Sequence, residues 1–327
     1  MSPVWRRTAA PWSLAPVDMT PAQPGVGRVR VRVEAAAIDP WEATPVGRGP
    51  GVAAVGLVTG VGPATDEWLG LRVLVPTCAP CGECERCRRG GAVLCAAATR
   101  LGSSGPGALA TTVTAMARWL VRLEGPLALP GPAAAALGGE IAMAYALYAR
   151  AGVGPRDPAI VLGSGPRARL VAELLHTKGL TPVVATHDAA VIAALGDRAQ
   201  ITAQHTAAIE DALAPHGVRP RKVVVTDGAL LDTALRIAGP RATVVVAADV
   251  MPALSPLTPL ELALCQEAVV VGVAGCHPDL VPELVALAVR GDLALDAMTD
   301  VVAVAALGER LAERDRTRPA TTLVATL

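Results

Sequence analysis

The chain has 327 residues, enough for two domains of ordinary size, each with its own hydrophobic core. Its 29 basic residues balance its 29 acidic residues, which argues against a broad nucleic-acid-binding surface. Apolar residues account for 52% of the sequence, but Phe is absent and there are only 2 Tyr, so the cores must be aliphatic.

No segment has the character of a membrane anchor or a secretory signal. The longest apolar stretch, residues 127–147, is interrupted by prolines, glycines and Glu140, so a membrane span is not expected. The N-terminal segment carries prolines at positions 11, 16 and 21 in place of an unbroken apolar run. We therefore expect a cytoplasmic protein with reduced cysteines.

The first third of the chain is predicted to be a β domain. Residues 27–38 alternate Val with Arg at period two, as a half-buried antiparallel strand does. Glycines then punctuate residues 51–62, and a further short strand is predicted over residues 71–75.

Four cysteines, Cys81, Cys84, Cys87 and Cys95, fall within fifteen positions and predict a metal site. Their spacing is typical of one structural zinc ion per chain, whose four thiolates leave no coordination position for a substrate. An iron–sulfur cluster is an alternative, because Cys78 extends the run to CxxCxxCxxC. Disulfide bonds are a third interpretation, and the lack of a secretory signal disfavours it.

From about residue 140 the pattern changes to alternating helices and strands, which predicts a parallel sheet with helices on both faces. Predicted helices cover residues 141–151, 167–178 and 280–290. Predicted strands cover residues 159–162, 182–185, 222–226, 242–247 and 268–273, with a final strand over 321–327.

A glycine motif of the form GxGxxA lies between a predicted strand and a helix, in the run Gly163-Ser-Gly165-Pro166-Arg-Ala168. Gly163 suits a tight turn, Gly165 lets the backbone approach a pyrophosphate, and Ala168 permits close packing of helix on strand. Amide groups at the helix N-terminus would bind the phosphates. The motif predicts dinucleotide binding, with an ordinary turn between strand and helix as the alternative.

The residue expected to hold the ribose does not match the usual pattern. An acidic residue is typical at the end of the next strand, but His187 stands there, and Asp188 one position later is expected to point away. An NADP site needs a cation for the 2′-phosphate, and His187 is only partly charged near neutral pH. The choice between NAD and NADP therefore stays open.

The order of these parts resembles the medium-chain dehydrogenase/reductase superfamily, zinc-type alcohol dehydrogenase branch. The cysteine quartet, with Gly82 after its first member, matches that family's structural-zinc spacing. The glycines within residues 51–62 resemble its GHExxGxVxxVG stretch, and Gly152-Val153 resembles its entry into the nucleotide fold.

The resemblance implies an α/β fold with a GroES-like β domain and a Rossmann doubly wound parallel sheet. It assigns the GroES-like substrate domain to residues 1–139 and 276–327, the zinc lobe to 78–95 and the Rossmann dinucleotide-binding domain to 140–275. It also implies a homodimer formed through the edges of the Rossmann sheets, with no nucleic-acid or membrane partner.

The catalytic zinc of that family is not expected here, because its ligands are replaced. Asp39 stands where a Cys is expected, Val52 and Ala53 where a His-Glu pair is expected, and Gly139 where a third ligand is expected. An all-oxygen site built from Asp39, Glu42 and Glu140 is the remaining alternative and would suit a harder cation.

The run Asp39-Pro40-Trp41-Glu42 resembles a loop of the zinc-independent quinone oxidoreductase and enoyl reductase branch. That resemblance implies catalysis in which Asp39 or Glu42 acts as acid or base and Trp41 lines the substrate pocket. Tyr145 and the pair Cys276-His277 are further candidates for contact with a substrate.

Together these features predict an NAD(P)-dependent oxidoreductase that transfers hydride to or from a small carbonyl, alcohol or conjugated substrate without a catalytic zinc. A catalytically inactive dehydrogenase-like protein with a structural or regulatory role is the alternative.

Overall fold

The computed structural model describes residues 2–38, 45–103, 107–155, 157–217, 219–248, 266–317 and 319–327. The chain divides into two compact units, residues 1–142 with 276–327 and residues 143–275. In the described ranges, no helix combines the length and the apolar character that crossing a bilayer requires.

The regular elements are numbered here in chain order. The strands are β1 Ser2–Arg7, β2 Leu14–Met19, β3 Arg28–Ala37, β4 Ala53–Val61, β5 Arg72–Val75, β6 Cys78–Ala79, β7 Thr99–Arg100, β8 Thr112–Met116, β9 Val121–Arg122, β10 Ala159–Leu162, β11 Val183–Ala185, β12 Gln200–Thr202, β13 Lys222–Val225, β14 Thr243–Ala247, β15 Val269–Val273, β16 Thr299–Ala303 and β17 Thr322–Thr326. The α-helices are α1 Glu85–Arg88, α2 Gly131–Leu137, α3 Glu140–Ala151, α4 Gly165–Thr177, α5 Ala189–Leu195, α6 Thr206–Leu213, α7 Leu231–Ile237, α8 Val281–Val289, α9 Leu295–Met298 and α10 Leu307–Thr317.

The first unit is built around a mostly antiparallel sheet in the order β16-β17-β3-β4-β5-β9, with β8 paired to β3. The alternation seen in the sequence determines its central strand. Val29, Val31 and Val33 of β3 are buried, while Arg28, Arg30 and Arg32 lie on the opposite face. A strand with one apolar and one polar face is stable only with the apolar face turned to a core.

A separate hairpin of β1 and β2 precedes this sheet and was not predicted from the sequence. It contacts the segment before β8, because the Trp5 amide donates to the Leu109 carbonyl at 3.1 Å and Val4 bridges Ala110. Pro16 is tolerated within β2, since a strand at a sheet edge has backbone groups that need no partner strand.

The second unit contains a parallel sheet in the order β12-β11-β10-β13-β14-β15. Numbered from its first strand this order is 3-2-1-4-5-6, the arrangement of dinucleotide-binding doubly wound folds. The strands predicted in this region all appear, with their ends moved by one residue at most. The predicted α/β class with a doubly wound sheet is confirmed.

The C-terminal segment completes the sheet of the first unit. β17 pairs antiparallel with β3, joining Val324 to Ala37, and β16 lies parallel to β17 at the sheet edge. The last 50 or so residues are therefore structurally part of a domain that begins near the N-terminus.

A buried ion cluster holds this returning segment. Asp300 of β16 accepts hydrogen bonds from Arg310 at 2.7 Å and from Arg314 at 2.9 Å, and its side chain is only 8% exposed. Arg314 also donates to the Thr321 carbonyl at 2.6 Å, which links α10 to the start of β17. Burial by itself would raise the pKa of Asp300, but the two guanidinium groups outweigh it and hold that pKa below its usual range.

Candidate metal centre and nucleotide site

The cysteine quartet forms a compact knuckle in the first unit. Cys84 precedes α1, and its backbone amide donates to the Cys81 sulfur at 3.4 Å. The Cys81 amide donates in turn to the sulfur of Cys95 at 3.5 Å. Backbone amides directed at sulfur stabilise thiolates, so the chain around the knuckle favours the form of cysteine that binds metals.

The four sulfur atoms have the separations that a single tetrahedral ion requires. Sulfurs bound at 2.3 Å to one zinc ion lie about 3.8 Å apart by tetrahedral geometry. Here Cys81 and Cys87 are 3.8 Å apart, and Cys84 and Cys95 are 3.9 Å apart. Two further pairs measure 3.4 and 3.5 Å, and all four sulfurs lie within 4.8 Å of one another.

These sulfur separations also test the two other interpretations of the cysteines, an iron–sulfur cluster and disulfides. In a polynuclear iron–sulfur cluster the thiolates bind different irons, which holds them farther apart than one ion does. Cys78 lies beside the knuckle, packed against Cys95, but it is not part of the group whose sulfurs converge. The described cysteines, including all four of the quartet, are free thiols, so the disulfide reading has no support.

The thiols of the metal-free knuckle differ in acidity. Hydrogen bonds from the Glu83 and Cys84 amides lower the pKa of Cys81 to about 6, so this residue is a thiolate at neutral pH. Burial, followed by hydrogen bonding with Cys84, raises the pKa of Cys87 to about 12. Metal binding must therefore release protons and weakens as the pH falls.

Two neighbouring side chains, those of Trp119 and Arg118, hydrogen-bond to the backbone of the knuckle. We call these two hydrogen bonds the clasp. The Trp119 indole donates to the Pro80 carbonyl at 2.7 Å, and the Arg118 guanidinium donates to the Cys81 carbonyl. Gly82 has a φ of +76°, and a Cβ there would lie 2.8 Å from the Arg118 guanidinium. The left-handed backbone conformation favours glycine at this position.

The predicted phosphate loop connects β10 to α4 in the second unit. Gly163 has a φ of +143°, and a Cβ on it would collide with the Thr226 hydroxyl at the end of β13. Gly165 has a φ of +70° with open space where its side chain would be, so a ligand can approach its backbone. Ala168 is fully buried, and Pro166 lies in the first turn of α4, where its missing amide costs nothing.

Asp188 corrects one expectation of the sequence analysis, since it does not point away from the loop. One of its carboxylate oxygens accepts the Gly165 amide at 2.8 Å. The other caps α5 by accepting the amides of Ala190 at 2.9 Å and Val191 at 3.2 Å. His187, one position earlier in the chain, is exposed. Asp at the cap position before a helix is a sequence signal for its contact with α5, but not for its contact with the loop.

Two other sequence candidates have different surroundings from those a catalytic role requires. The Cys276 thiol donates to the His277 carbonyl at 3.5 Å, while the imidazole Nδ1 of His277 accepts the Asp279 amide at 3.3 Å. Burial raises the pKa of Cys276 to about 12, so it is not an activated nucleophile. Tyr145 is buried, with its ring 5.9 Å from that of Tyr148, as a packing residue is.

The catalytic candidates Asp39, Trp41 and Glu42 lie outside the described residues.

The two arginines after the phosphate loop are buried within α4. Arg169 pairs with Glu173 at 3.0 Å, and Arg198 reaches the same carboxylate at 3.4 Å. Arg169 therefore has an anionic partner within its own helix.

Comparison with known proteins agrees with this architecture. Residues 25–125 match the family model of the alcohol dehydrogenase GroES-like domain. No curated protein sequence matches the chain.

Solved structures match over the whole length. A short chain alcohol dehydrogenase from Escherichia coli CFT073 complexed with NADH has a TM-score of 0.88 at 16% identity, covering 100% of this chain and 99% of that one. L-idonate 5-dehydrogenase from Escherichia coli K-12 has a TM-score of 0.85 at 14% identity, with 100% and 99% coverage. A cobalt- and zinc-bound thermostable alcohol dehydrogenase from Pyrobaculum aerophilum has a TM-score of 0.83 at 19% identity, with 100% coverage of both chains.

The resemblance to the medium-chain, zinc-type alcohol dehydrogenases that the sequence suggested is confirmed at the level of the fold. Residues 25–125 of the first unit match the alcohol dehydrogenase GroES-like domain model, and the chain shares its fold with these dehydrogenase structures. At identities below one fifth, these matches define architecture, and substrate and chemistry must be argued from the site.

Proposed function

We propose that this protein is an NAD-linked oxidoreductase that transfers hydride to or from a small carbonyl, alcohol or conjugated substrate. The observation that carries the proposal is the phosphate loop with a carboxylate seated on it, Asp188 on the Gly165 amide. Similarity of fold to a dehydrogenase complexed with NADH supports the choice of ligand. The bound nicotinamide would supply the hydride donor or acceptor, and the protein would orient it.

Asp188 favours NAD over NADP. Its two carboxylate oxygens accept backbone amides of Gly165 and of α5, and their remaining lone pairs can accept hydrogen bonds from ribose hydroxyl groups. The same negative charge would repel the 2′-phosphate of NADP.

We also propose that the knuckle holds one structural zinc ion through Cys81, Cys84, Cys87 and Cys95. The sulfur separations fit a closed tetrahedral site, and a zinc-bound alcohol dehydrogenase shares the fold. Because its four positions are filled by protein, this ion would stabilise the lobe and take no part in the reaction. Free thiols of this kind suit a reducing compartment such as the cytoplasm.

For the reaction itself we propose a site without a catalytic zinc. Val52 and Ala53, which stand where the resemblance places a His-Glu pair, have no donor atoms. Asp39 and Glu42 are the groups we propose to exchange a proton with the substrate oxygen or carbon, with Trp41 lining the pocket.

Nucleotide titration tests the proposal directly. NADH fluorescence should show binding in the micromolar range and clearly weaker binding of NADPH. Asp188→Asn should weaken NADH binding about tenfold, because it removes a charged hydrogen bond to the ribose. It should also narrow the difference in affinity between NADH and NADPH, because the carboxylate that would repel the 2′-phosphate is gone. Gly163→Val should abolish binding of both, because the new side chain enters the space of the Thr226 hydroxyl.

Asp197→Asn serves as the matched control, since Asp197 is exposed in the short turn that follows the C-terminus of α5. Failure of both nucleotides to bind the wild type at millimolar concentration would overturn the proposal. NADPH binding more tightly than NADH would refute the role given to Asp188.

A catalytically silent protein is the second candidate, and the missing ligand positions at Val52 and Ala53 favour it. It differs from the first in turnover, not in nucleotide binding. Consumption of NADH monitored over panels of aldehydes, ketones, quinones and enones separates the two, since complete inertness together with tight NADH binding would support a regulatory or structural role.

A homodimer through the edge of the second unit is our proposal for assembly. β15 forms one edge of the parallel sheet, and its Val269 and Val270 are 54% and 40% exposed. Exposed apolar residues on a strand that forms the edge of the described sheet favour pairing with a second chain. We expect light scattering to give a dimer that Val270→Lys converts to a monomer. Val301→Lys, at the exposed edge strand β16 of the first unit, should leave the dimer intact.

A further inference from the structure

The first unit contains a cavity of about 540 Å³ beside the N-terminal hairpin. Its walls come from β1, the end of β2, residues 47–49 and β8. This volume lies in the range of small-molecule sites. Val4, Met19, Pro21 and Ala110 supply an apolar surface, and the nucleotide loop, which lies in the second unit, contributes nothing to it.

Two arginines bring positive charge to this apolar cavity. Arg48 is exposed, and its guanidinium has no partner among the described residues, although its backbone is held by hydrogen bonds with Pro45 at 3.0 Å and Arg7 at 2.9 Å. Within the described part of the chain, Arg6 makes only long contacts, to the Gly47 carbonyl at 3.5 Å and to the Met19 sulfur at 3.6 Å. Most of their N–H groups are therefore available to a ligand.

Among the described residues, no acidic side chain offsets this charge at the cavity. The hairpin register pairs Arg6 with Ala15 and Val4 with Val17, and residues directly opposite share a face of the sheet. Asp18, the carboxylate nearest in sequence, pairs with Pro3 and belongs to the other face. None of the residues described as lining the cavity is acidic.

The neighbouring strand extends the positive charge. β3 runs antiparallel to β8, which sets Arg32 opposite Thr112 and Arg30 opposite Thr114, the two threonines that line the cavity. Arg32 is exposed beside Thr112, while Arg30 lies across Gly60 on β4. Positive side chains along one edge of an apolar concavity raise the local concentration of anions.

We propose that this cavity is a binding site for a small amphipathic organic anion, with a carboxylate held by Arg6 and Arg48 and an apolar body against the hairpin. The threonine hydroxyls of β8 supply further hydrogen bonds to the head group. Guanidinium groups suit this ligand because one guanidinium can donate two parallel hydrogen bonds to the two oxygens of a carboxylate. The site is distinct from the proposed nucleotide site, because all of its groups belong to the first unit and the phosphate loop belongs to the second.

Calorimetric titration of the full-length, nucleotide-free protein with octanoate tests the site. We expect one octanoate per chain in the micromolar range, and octan-1-ol of the same length at least tenfold weaker, because it lacks the charge. Arg6→Gln and Arg48→Gln should each weaken octanoate about tenfold, the effect of one charge-assisted hydrogen bond. Ala22→Trp, an exposed lining position, should block binding by filling the space.

Arg150→Gln is the control, since Arg150 is exposed on α3 and does not line the cavity. Equal melting temperatures for the variants and the wild type would show that they are folded. The proposal is overturned if octanoate does not bind at millimolar concentration, if octan-1-ol binds equally well, or if the three cavity variants retain wild-type affinity. Tighter binding of a heparin oligosaccharide that Ala22→Trp leaves unchanged would also overturn it, by assigning the arginines to an extended polyanion.

Discussion

Cys95→Ser is expected to remove the metal from the cysteine lobe and to lower the melting temperature of the protein. Cys95 is 2% exposed, and its sulfur lies 3.5 Å from that of Cys81 and 3.9 Å from that of Cys84, so no water or neighbouring side chain can easily replace it. Structural zinc contributes on the order of 10 kcal/mol to the folding of small isolated metal domains. Elemental analysis should fall from about one zinc per chain to a small fraction.

Cys78→Ser is the matched control for this prediction. Cys78 is also buried and packs beside the knuckle, but its sulfur is outside the converging quartet, so zinc content should stay near one per chain. Loss of metal in Cys78→Ser, or iron with visible absorbance in the wild type, would contradict the single-ion assignment and favour a cluster.

We expect the clasp, the hydrogen bonds from Trp119 and Arg118 to the knuckle, to affect the rate of zinc release and not the amount of zinc bound. Trp119→Phe removes the hydrogen bond to the Pro80 carbonyl and keeps most of the ring packing. A neutral hydrogen bond is worth about 1 kcal/mol, so we expect zinc release to a chromogenic chelator to be about fivefold faster at unchanged stoichiometry. An unchanged release rate would show that the clasp does not hold the knuckle.

Asp300→Asn is expected to lower the free energy of unfolding at neutral pH by about 3–5 kcal/mol, the usual effect of breaking a buried ion pair from one side. Asp300 is 8% exposed and Arg314 is 11% exposed, so the substitution leaves a buried guanidinium without its counter-charge. Urea denaturation measures the difference. Asp292→Asn is the control, because its pair with Arg290 at 3.0 Å is solvent-exposed and should be worth less than about 1 kcal/mol.

The pH dependence of the Asp300 effect has a defined sign. The folded protein holds the pKa of Asp300 below its usual range, so its contribution to stability is complete above the unfolded-state pKa of about 4. That contribution is lost as the pH falls further through the folded-state pKa. The stability gap between wild type and Asp300→Asn should therefore be constant from pH 7 to about 5 and shrink in stronger acid. A gap that grows on acidification would contradict the assignment.

Much of the fold could be predicted because it depends on local pattern. The period-two alternation of Val and Arg placed β3 within one residue of its observed ends. The βα rhythm located five of the six strands of the parallel sheet and missed the short strand β12. The cysteine quartet was recognisable because ligands to one ion must lie close in sequence when a short knuckle presents them. Gly163 and Gly165 were recognisable because few other residues adopt their conformations.

The remaining features were decided by contacts between segments distant in the chain. Asp188 is 23 residues from Gly165, and only the parallel pairing of β10 with β11 brings its carboxylate to the loop. The cavity beside the hairpin likewise depends on the contact of residues 4 and 110, which no local pattern encodes.

The sequence by itself determined the two kinds of sheet, the metal knuckle and the phosphate loop, since hydrophobic period and short-range spacing act within a few residues. Tertiary structure alone decided which carboxylate faces the nucleotide loop, which arginines line the cavity and what holds Asp300. Those outcomes depend on strand register and on the return of the C-terminal segment, and both are settled by burying apolar surface across the whole domain.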